Sequence, residues 1–153
     1  MALSTFGAIM GFAAEIIGKT KEAYETFAGK TRNPMLRETL QAFSTEESKN
    51  HSLMERTRRE NVTEMILEPV TGLHQEDYEV KSKISDQEGD ADVLRAVIIL
   101  EERERKFFHD AAAKIPLPEV ARIFRKIAQK KDGNLAKLQN LGLDQSLTKN
   151  RRT

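Results

Sequence analysis

Apolar residues recur at steps of three and four along four separate stretches of the chain. That spacing places them on one face of an α-helix. In the first stretch, about Leu3 to Gly29, the positions are Met10, Ala13, Ala14, Ile17, Tyr24, Phe27 and Ala28. Ser4 or Thr5 is its expected N-cap, because a short hydroxyl side chain accepts from the free amides of a first turn. After a short turn, Pro34 suits the first turn of a second helix, where its missing N–H costs no hydrogen bond. The second stretch, about Pro34 to Arg59, carries Leu36, Leu40, Phe43, Glu47, Asn50 and Met54 on one stripe, so two polar residues interrupt an otherwise apolar face. The third begins near Asp90 or Asp92, either expected as its cap, and carries Leu94, Val97, Ile98, Glu101, Phe108, Ala111 and Ala112. Pro116 and Pro118 bound a second short turn. The fourth, about Pro118 to Leu141, carries Val120, Ile123, Phe124, Ile127, Lys131, Asn134 and Leu138, with Gly142 as its stop.

The helices are thus joined short, long, short. In the long connection, about residues 60–90, Pro69, Gly72 and Gly89 break the helical pattern. Met65, Ile66, Leu67, Val70 and Leu73 are expected to pack, and Gln75 to Ile84 to form a short helix. One long crossover between two antiparallel pairs predicts an all-α four-helix bundle. The bundle spans residues 1–142, with hairpins at about 3–59 and 90–141. The polar, basic tail, residues 143–153, is expected to be loosely ordered.

The two hairpins also match each other at a constant shift of 84 residues, as from Ile17 to Glu101. Tyr24 falls on Phe108, Lys30 on Lys114, Pro34 on Pro118, Leu40 on Phe124, Phe43 on Ile127, Asn50 on Asn134 and Met54 on Leu138. The register of prolines, core positions and polar insertions is shared without a gap, which points to an internal repeat.

Composition narrows the chemistry. Charged residues make up 32% and hydrophobic ones 39%, a balance that suits a folded helical domain. A net charge of +1 gives no long-range field for nucleic acid or an anionic membrane. The absence of cysteine excludes disulfides, zinc–thiolate sites, iron–sulfur clusters, thiol catalysis and a four-cysteine rubredoxin-type iron centre. The apolar stretch Phe6 to Ile17 lacks a basic leader and contains Glu15, so it is expected to be mature structure rather than a signal peptide. No run approaches the length of a membrane span. A cytoplasmic protein is expected. No Gly-rich phosphate loop or catalytic triad is present, and no catalytic residue is assigned.

The segment Tyr24-Glu-Thr-Phe-Ala-Gly-Lys-Thr-Arg-Asn-Pro34 resembles rubrerythrin-type members of the ferritin-like superfamily. So does Ile99-Leu-Glu101, followed by Phe108-His-Asp-Ala-Ala. The resemblance covers roughly Leu3 to Leu141. It implies a ferritin-like bundle, di-iron carboxylate ancestry and a homodimer, in a family that handles peroxide, oxygen or iron.

The resemblance also implies a ligand set: one Glu from each of two helices and Glu-x-x-His from each of the other two. Carried onto this chain, those positions hold Ile17, Glu47 with Asn50, Glu101, and Lys131 with Asn134. Two carboxylates remain, no histidine remains, and one position carries a cation. Two divalent ions are poorly matched to such a set. The expectation is a degenerate site with no metal, in which the Lys131 ammonium bridges Glu47 and Glu101 while Asn50 and Asn134 complete a buried network. The protein would then be a non-catalytic binding or structural module. The alternative is an iron- or manganese-binding oxidoreductase with a reduced site of Glu47, His51 and Glu101. It requires the second helix to turn His51 inward, with Ser48 in the Glu position. His74 and His109 lack a partner at ligand spacing and are expected at the surface. Tyr24 is expected as a core aromatic with its hydroxyl hydrogen-bonded. Glu102, Arg103 and Lys106, in the charge run after Glu101, are expected on a solvated face.

Overall fold

The computed structural model describes residues 1–61, 69–80 and 89–142. Four α-helices carry the fold: α1 (Phe6–Lys30), α2 (Pro34–Glu60), α3 (Asp90–Lys114) and α4 (Pro118–Gly142). The expected helix boundaries agree to within about three residues. Asp90 and Lys114 each lie 84 residues beyond Phe6 and Lys30, and Pro118 lies 84 beyond Pro34. The repeat therefore extends to both ends of α1 and α3 and to the starts of α2 and α4.

Local chemistry sets those ends. The Thr5 hydroxyl accepts from the Ala8 amide, and Asn33 caps α2 by accepting from Leu36, with Pro34 in the first turn. The expectation for α3 is corrected. Its N-cap is Gly89, without a side-chain cap bond, and Asp90 and Asp92 lie inside the first turn. The Asp90 carboxylate is engaged elsewhere, accepting from the backbone amides of Arg32 and Asn33 at 3.0 and 2.8 Å. It thereby ties the α1–α2 turn to the start of α3.

Helix α1 packs along α2 and α3 along α4; the hairpins meet through α1 against α3 and α2 against α4. Two apolar clusters fix the directions. One gathers the first half of α1, the last part of α2 (Met54), the last half of α3 (Phe107 to Ile115) and the first half of α4. The other gathers Tyr24 and Phe27, Leu36 to Phe43, Val93 to Leu100, and Leu138 with Leu141. Neighbouring helices are therefore antiparallel, while α2 and α3, on a diagonal, run the same way. A chain leaving α2 must travel the length of the bundle to enter α3, about 38 Å for a 25-residue helix.

The described part of this crossover follows that course. Val70, Leu73 and Tyr78 belong to the first cluster, whereas Val80 packs against the second. Residues 1–4 pair with it: Leu3 donates to the Leu73 carbonyl and Val70 to that of Ser4, around an Ala2–His74 bridge. The expected short helix is a single 3-10 turn, Gln75–Tyr78. The Tyr78 ring, Phe12 and Phe108 each meet Phe107 edge-on at 5.1–5.2 Å, the geometry that aromatic quadrupoles favour. Met65 to Leu67, residues 81–84 and the tail lie outside the described residues.

Candidate functional site

Between the two apolar clusters lies a polar layer. Glu47, Glu101, Glu104, Lys131, Thr20 and Asn134 are all buried there, the three glutamates completely. They come from inward positions on all four helices: Thr20 from α1, Glu47 from α2, Glu101 and Glu104 from α3, Lys131 and Asn134 from α4.

The Lys131 Nζ is the hub. It donates to Glu47 Oε1 at 2.5 Å and to Glu101 Oε1 at 3.0 Å. It lies 3.5 Å from Glu104 Oε1 and 3.9 Å from Glu46 Oε1. Glu47 and Lys131 are 84 residues apart, so the contact joins equivalent positions of the two hairpins. Asn134 Nδ2 donates to Glu101 Oε2 at 3.1 Å and to Glu46 Oε1 at 3.0 Å, and the Tyr24 hydroxyl donates to Glu101 Oε1 at 2.7 Å.

Desolvation sets the protonation of this layer. Burial raises the Glu47 carboxyl well above its ordinary value; the nearby Glu104 charge adds to this, and Lys131 opposes it. Burial likewise raises Glu101, against the pull of Lys131 and the Tyr24 hydrogen bond. For Lys131, burial lowers the value, but Glu104, Glu101 and Glu47 together outweigh it and hold the ammonium well above the usual lysine range. Burial, then the Glu101 charge, pushes the Tyr24 phenol well above 10.0.

Of the positions named from sequence, the structure brings Glu47, Glu101, Lys131 and Asn134 together. It does not bring in the other three. Ile17 is buried in the first apolar cluster. Asn50 is half-buried and lines a groove of about 360 Å³ with Leu53, Ile123, Lys126, Ile127 and Lys130; the expectation that it completes the network is corrected. His51 is also half-buried. It stacks over Gly18, its ring 3.8 Å from where a Cβ there would sit, and its Nδ1 lies 3.6 Å from Glu55. Leu36, Leu40, Phe43, Glu47 and Met54 are buried, so the expected stripe of α2 faces inward and Ser48 does not take the Glu47 position; Asn50 and His51 straddle that direction, one toward α4 and the other toward α1.

Glu104 is the residue that sequence reasoning missed. It lies one three-residue step beyond Glu101, and its repeat equivalent, Thr20, is also fully buried. Arg103, expected in solvent, is half-buried and donates to Thr20 Oγ1 at 2.8 Å. His74 and His109 are exposed, as expected.

These residues do not fit a pair of iron ions. A metal pair needs several anionic or imidazole ligands converging on open positions. Here an ammonium sits where the carboxylates converge, an isoleucine offers no ligand atom, and the nearest histidine faces another helix. Among the described residues, no group of three or more His, Cys, Asp or Glu is arranged to hold a metal ion. No helix among them is long and apolar enough to cross a membrane. Compared with models of protein families, with curated proteins and with solved structures, the chain matches none of them.

Proposed function

We propose that this chain is a ferritin-like, rubrerythrin-type bundle whose di-metal centre has been replaced by the Glu47–Lys131–Glu101 cluster. In this reading it acts as a non-catalytic binding or structural module, cytoplasmic and homodimeric. The observation that carries it is the position of Lys131 Nζ, within 3.5 Å of three buried carboxylates. A fixed internal cation satisfies charges that would otherwise call for metal, because like charges in a dry core cannot all ionise unaided. The direction of the long crossover is that of a bundle with one such connection, as in ferritin-like folds. No observation favours the iron or manganese oxidoreductase built on Glu47, His51 and Glu101, since His51 lies against Gly18.

The test is metal content after anaerobic loading with ferrous iron and desalting. Near-zero iron is expected, and about two irons per chain would overturn the reading.

A further inference from the structure

The described crossover lies on one side of the bundle. The Tyr78 ring meets Phe12 of α1 and Phe107 of α3, at centroid distances of 6.2 and 5.2 Å, which puts it on the α1–α3 face. The opposite face, between α2 and α4, carries the groove of about 360 Å³ that Asn50 lines. A second hollow of about 500 Å³ adjoins it along α2, sharing Asn50 and Leu53 and adding Lys49 and Arg56. Leu53, Ile123 and Ile127 form the apolar floor. Four exposed cations rim it, Lys49 and Arg56 on α2 and Lys126 and Lys130 on α4, and no acidic residue lines either hollow. Among the described residues, Lys49, Lys126 and Lys130 have no ion-pair partner and the Asn50 side-chain amide has no hydrogen bond, while Arg56 has only Glu60 at 4.0 Å.

The repeat supplies an internal comparison. Bundle symmetry alone would place a like groove at the other end of this face, 84 residues away in each hairpin. There the floor positions Leu53 and Ile123 are matched by Lys137 and Thr39. The rim positions Lys49, Arg56, Lys126 and Lys130 are matched by Gly133, Asn140, Ala42 and Glu46. An apolar floor with a basic rim is thus a property of this groove and not of the fold.

Shape and charge select the occupant. The floor is open, with Leu53 and Ile123 only half-buried, whereas a small apolar ligand needs a pocket that closes around most of its surface. Residues 49–56 and 123–130 each span about 10 Å, two helical turns. The channel between two helices accepts a third by ridge-into-groove packing. A second copy of this chain would bring bases along with its acids: Glu15 lies with Lys19, Glu25 with Lys21 and Asp92 with Arg95. We propose that the α2–α4 groove docks an acidic amphipathic helix of a partner protein, whose apolar stripe covers the floor and whose flanking carboxylates pair with Lys49, Arg56, Lys126 and Lys130. The inference gives the binding-module reading its partner class and rests on that reading.

The probe is a fluorescein-labelled synthetic peptide of about 20 residues, long enough to form a helix, with leucine at every third or fourth position and glutamate on both flanks. Fluorescence anisotropy with the full chain is expected to show saturable one-to-one binding that weakens as salt rises. A glutamine-flanked counterpart should bind about tenfold more weakly, and Lys126→Glu with Lys130→Glu should weaken the glutamate peptide at least as much, since several rim pairs are lost together. Leu53→Ser should weaken both peptides. Arg125→Glu with Lys137→Glu, exposed on α4 outside the groove, should stay within about twofold of wild type. Equal affinity for the two peptides, no saturable binding, or an unchanged Kd in the groove variant would overturn the proposal. So would saturable binding of laurate in place of the peptide, which assigns the groove to an acyl anion. A dimer that the groove variant dissociates, with no peptide bound by wild type, assigns the face to a second copy and overturns it as well. Iron content of the same samples tests the metal-free centre separately.

Discussion

Replacing Lys131 by Met keeps most of the volume of the stem and deletes the charge. Glu47 and Glu101 each lose a hydrogen bond, of 2.5 and 3.0 Å, and Glu104 loses its ammonium at 3.5 Å. Breaking a buried ion pair by removing one partner costs about 3–5 kcal/mol, because the partner stays behind uncompensated. Against a total stability of about 5–15 kcal/mol, that is a large fraction. Urea is the suitable denaturant, since it does not screen charge. With a slope of about 2 kcal/mol per molar, the midpoint should fall by about 2 M at neutral pH. The loss should depend on pH. Burial raises Glu47 and Glu101, so the folded state holds protons that the unfolded state has released above about pH 4.5. Stability from these groups is full below that pH and drains as the pH rises through their raised values. Lys131, itself raised, contributes up to its unfolded value near 10.5 and is lost only above it. Without the ammonium the carboxyls rise further, so the deficit of Lys131→Met should be small near pH 5 and large near pH 8. A deficit below about 1 kcal/mol at neutral pH, the range of solvent-exposed pairs, would refute the view of Lys131 as the hub of a dry layer.

Converting the layer to hydrocarbon (Glu47→Leu, Glu101→Leu, Glu104→Leu and Lys131→Met, with Tyr24→Phe and Asn134→Leu so that neither donor to Glu101 is left unpaired) should leave stability unchanged or raise it by about 1–4 kcal/mol, as for other buried ion clusters. A collapse in urea midpoint would show that the cluster stabilises outright. Both tyrosines are held above their ordinary range, Tyr24 by burial and Glu101, Tyr78 by burial and its hydrogen bond to Asp110. An absorbance titration should therefore show no phenolate near pH 10 while the helices persist; a step there in folded protein would contradict the burial. Asp90→Ala removes the carboxylate that accepts from two backbone amides and ties the α1–α2 turn to α3, and should cost about 1–3 kcal/mol; an unchanged melting curve would show that the tie is idle.

Most of this architecture is legible in the chain, because three- and four-residue spacing, two prolines at equivalent places and the 84-residue shift all report helix geometry directly. Lys131, Glu47 and Glu101 stand out because they break apolar stripes. Glu104 is harder to see. It sits in the run Glu101-Glu-Arg-Glu-Arg-Lys106, where charge density suggests solvent; only its three-residue step from Glu101 and its match to Thr20 mark it as inward. Asn50 and His51 are ambiguous for a geometric reason. Successive helical residues are about 100° apart, so an inward direction that falls between two of them leaves both half-buried. Asp90 looks like a cap by residue type, but its carboxylate binds a turn 57 and 58 residues earlier, a contact no local pattern encodes.

The contact between Glu47 and Lys131 joins equivalent positions of the repeat, and its two ends carry opposite charges. Two copies of the first hairpin brought together in the same way would set Glu47 against Glu47; two copies of the second would set Lys131 against Lys131. Either pairing buries like charges, which costs several kcal/mol. Each hairpin is therefore complementary to the other and repelled by itself. Duplicated halves of similar shape carry an inherent risk of mispairing, between chains during synthesis or by exchange of hairpins. The opposite charges of Glu47 and Lys131, at equivalent positions of the repeat, act as a recognition code that directs each half to its own partner.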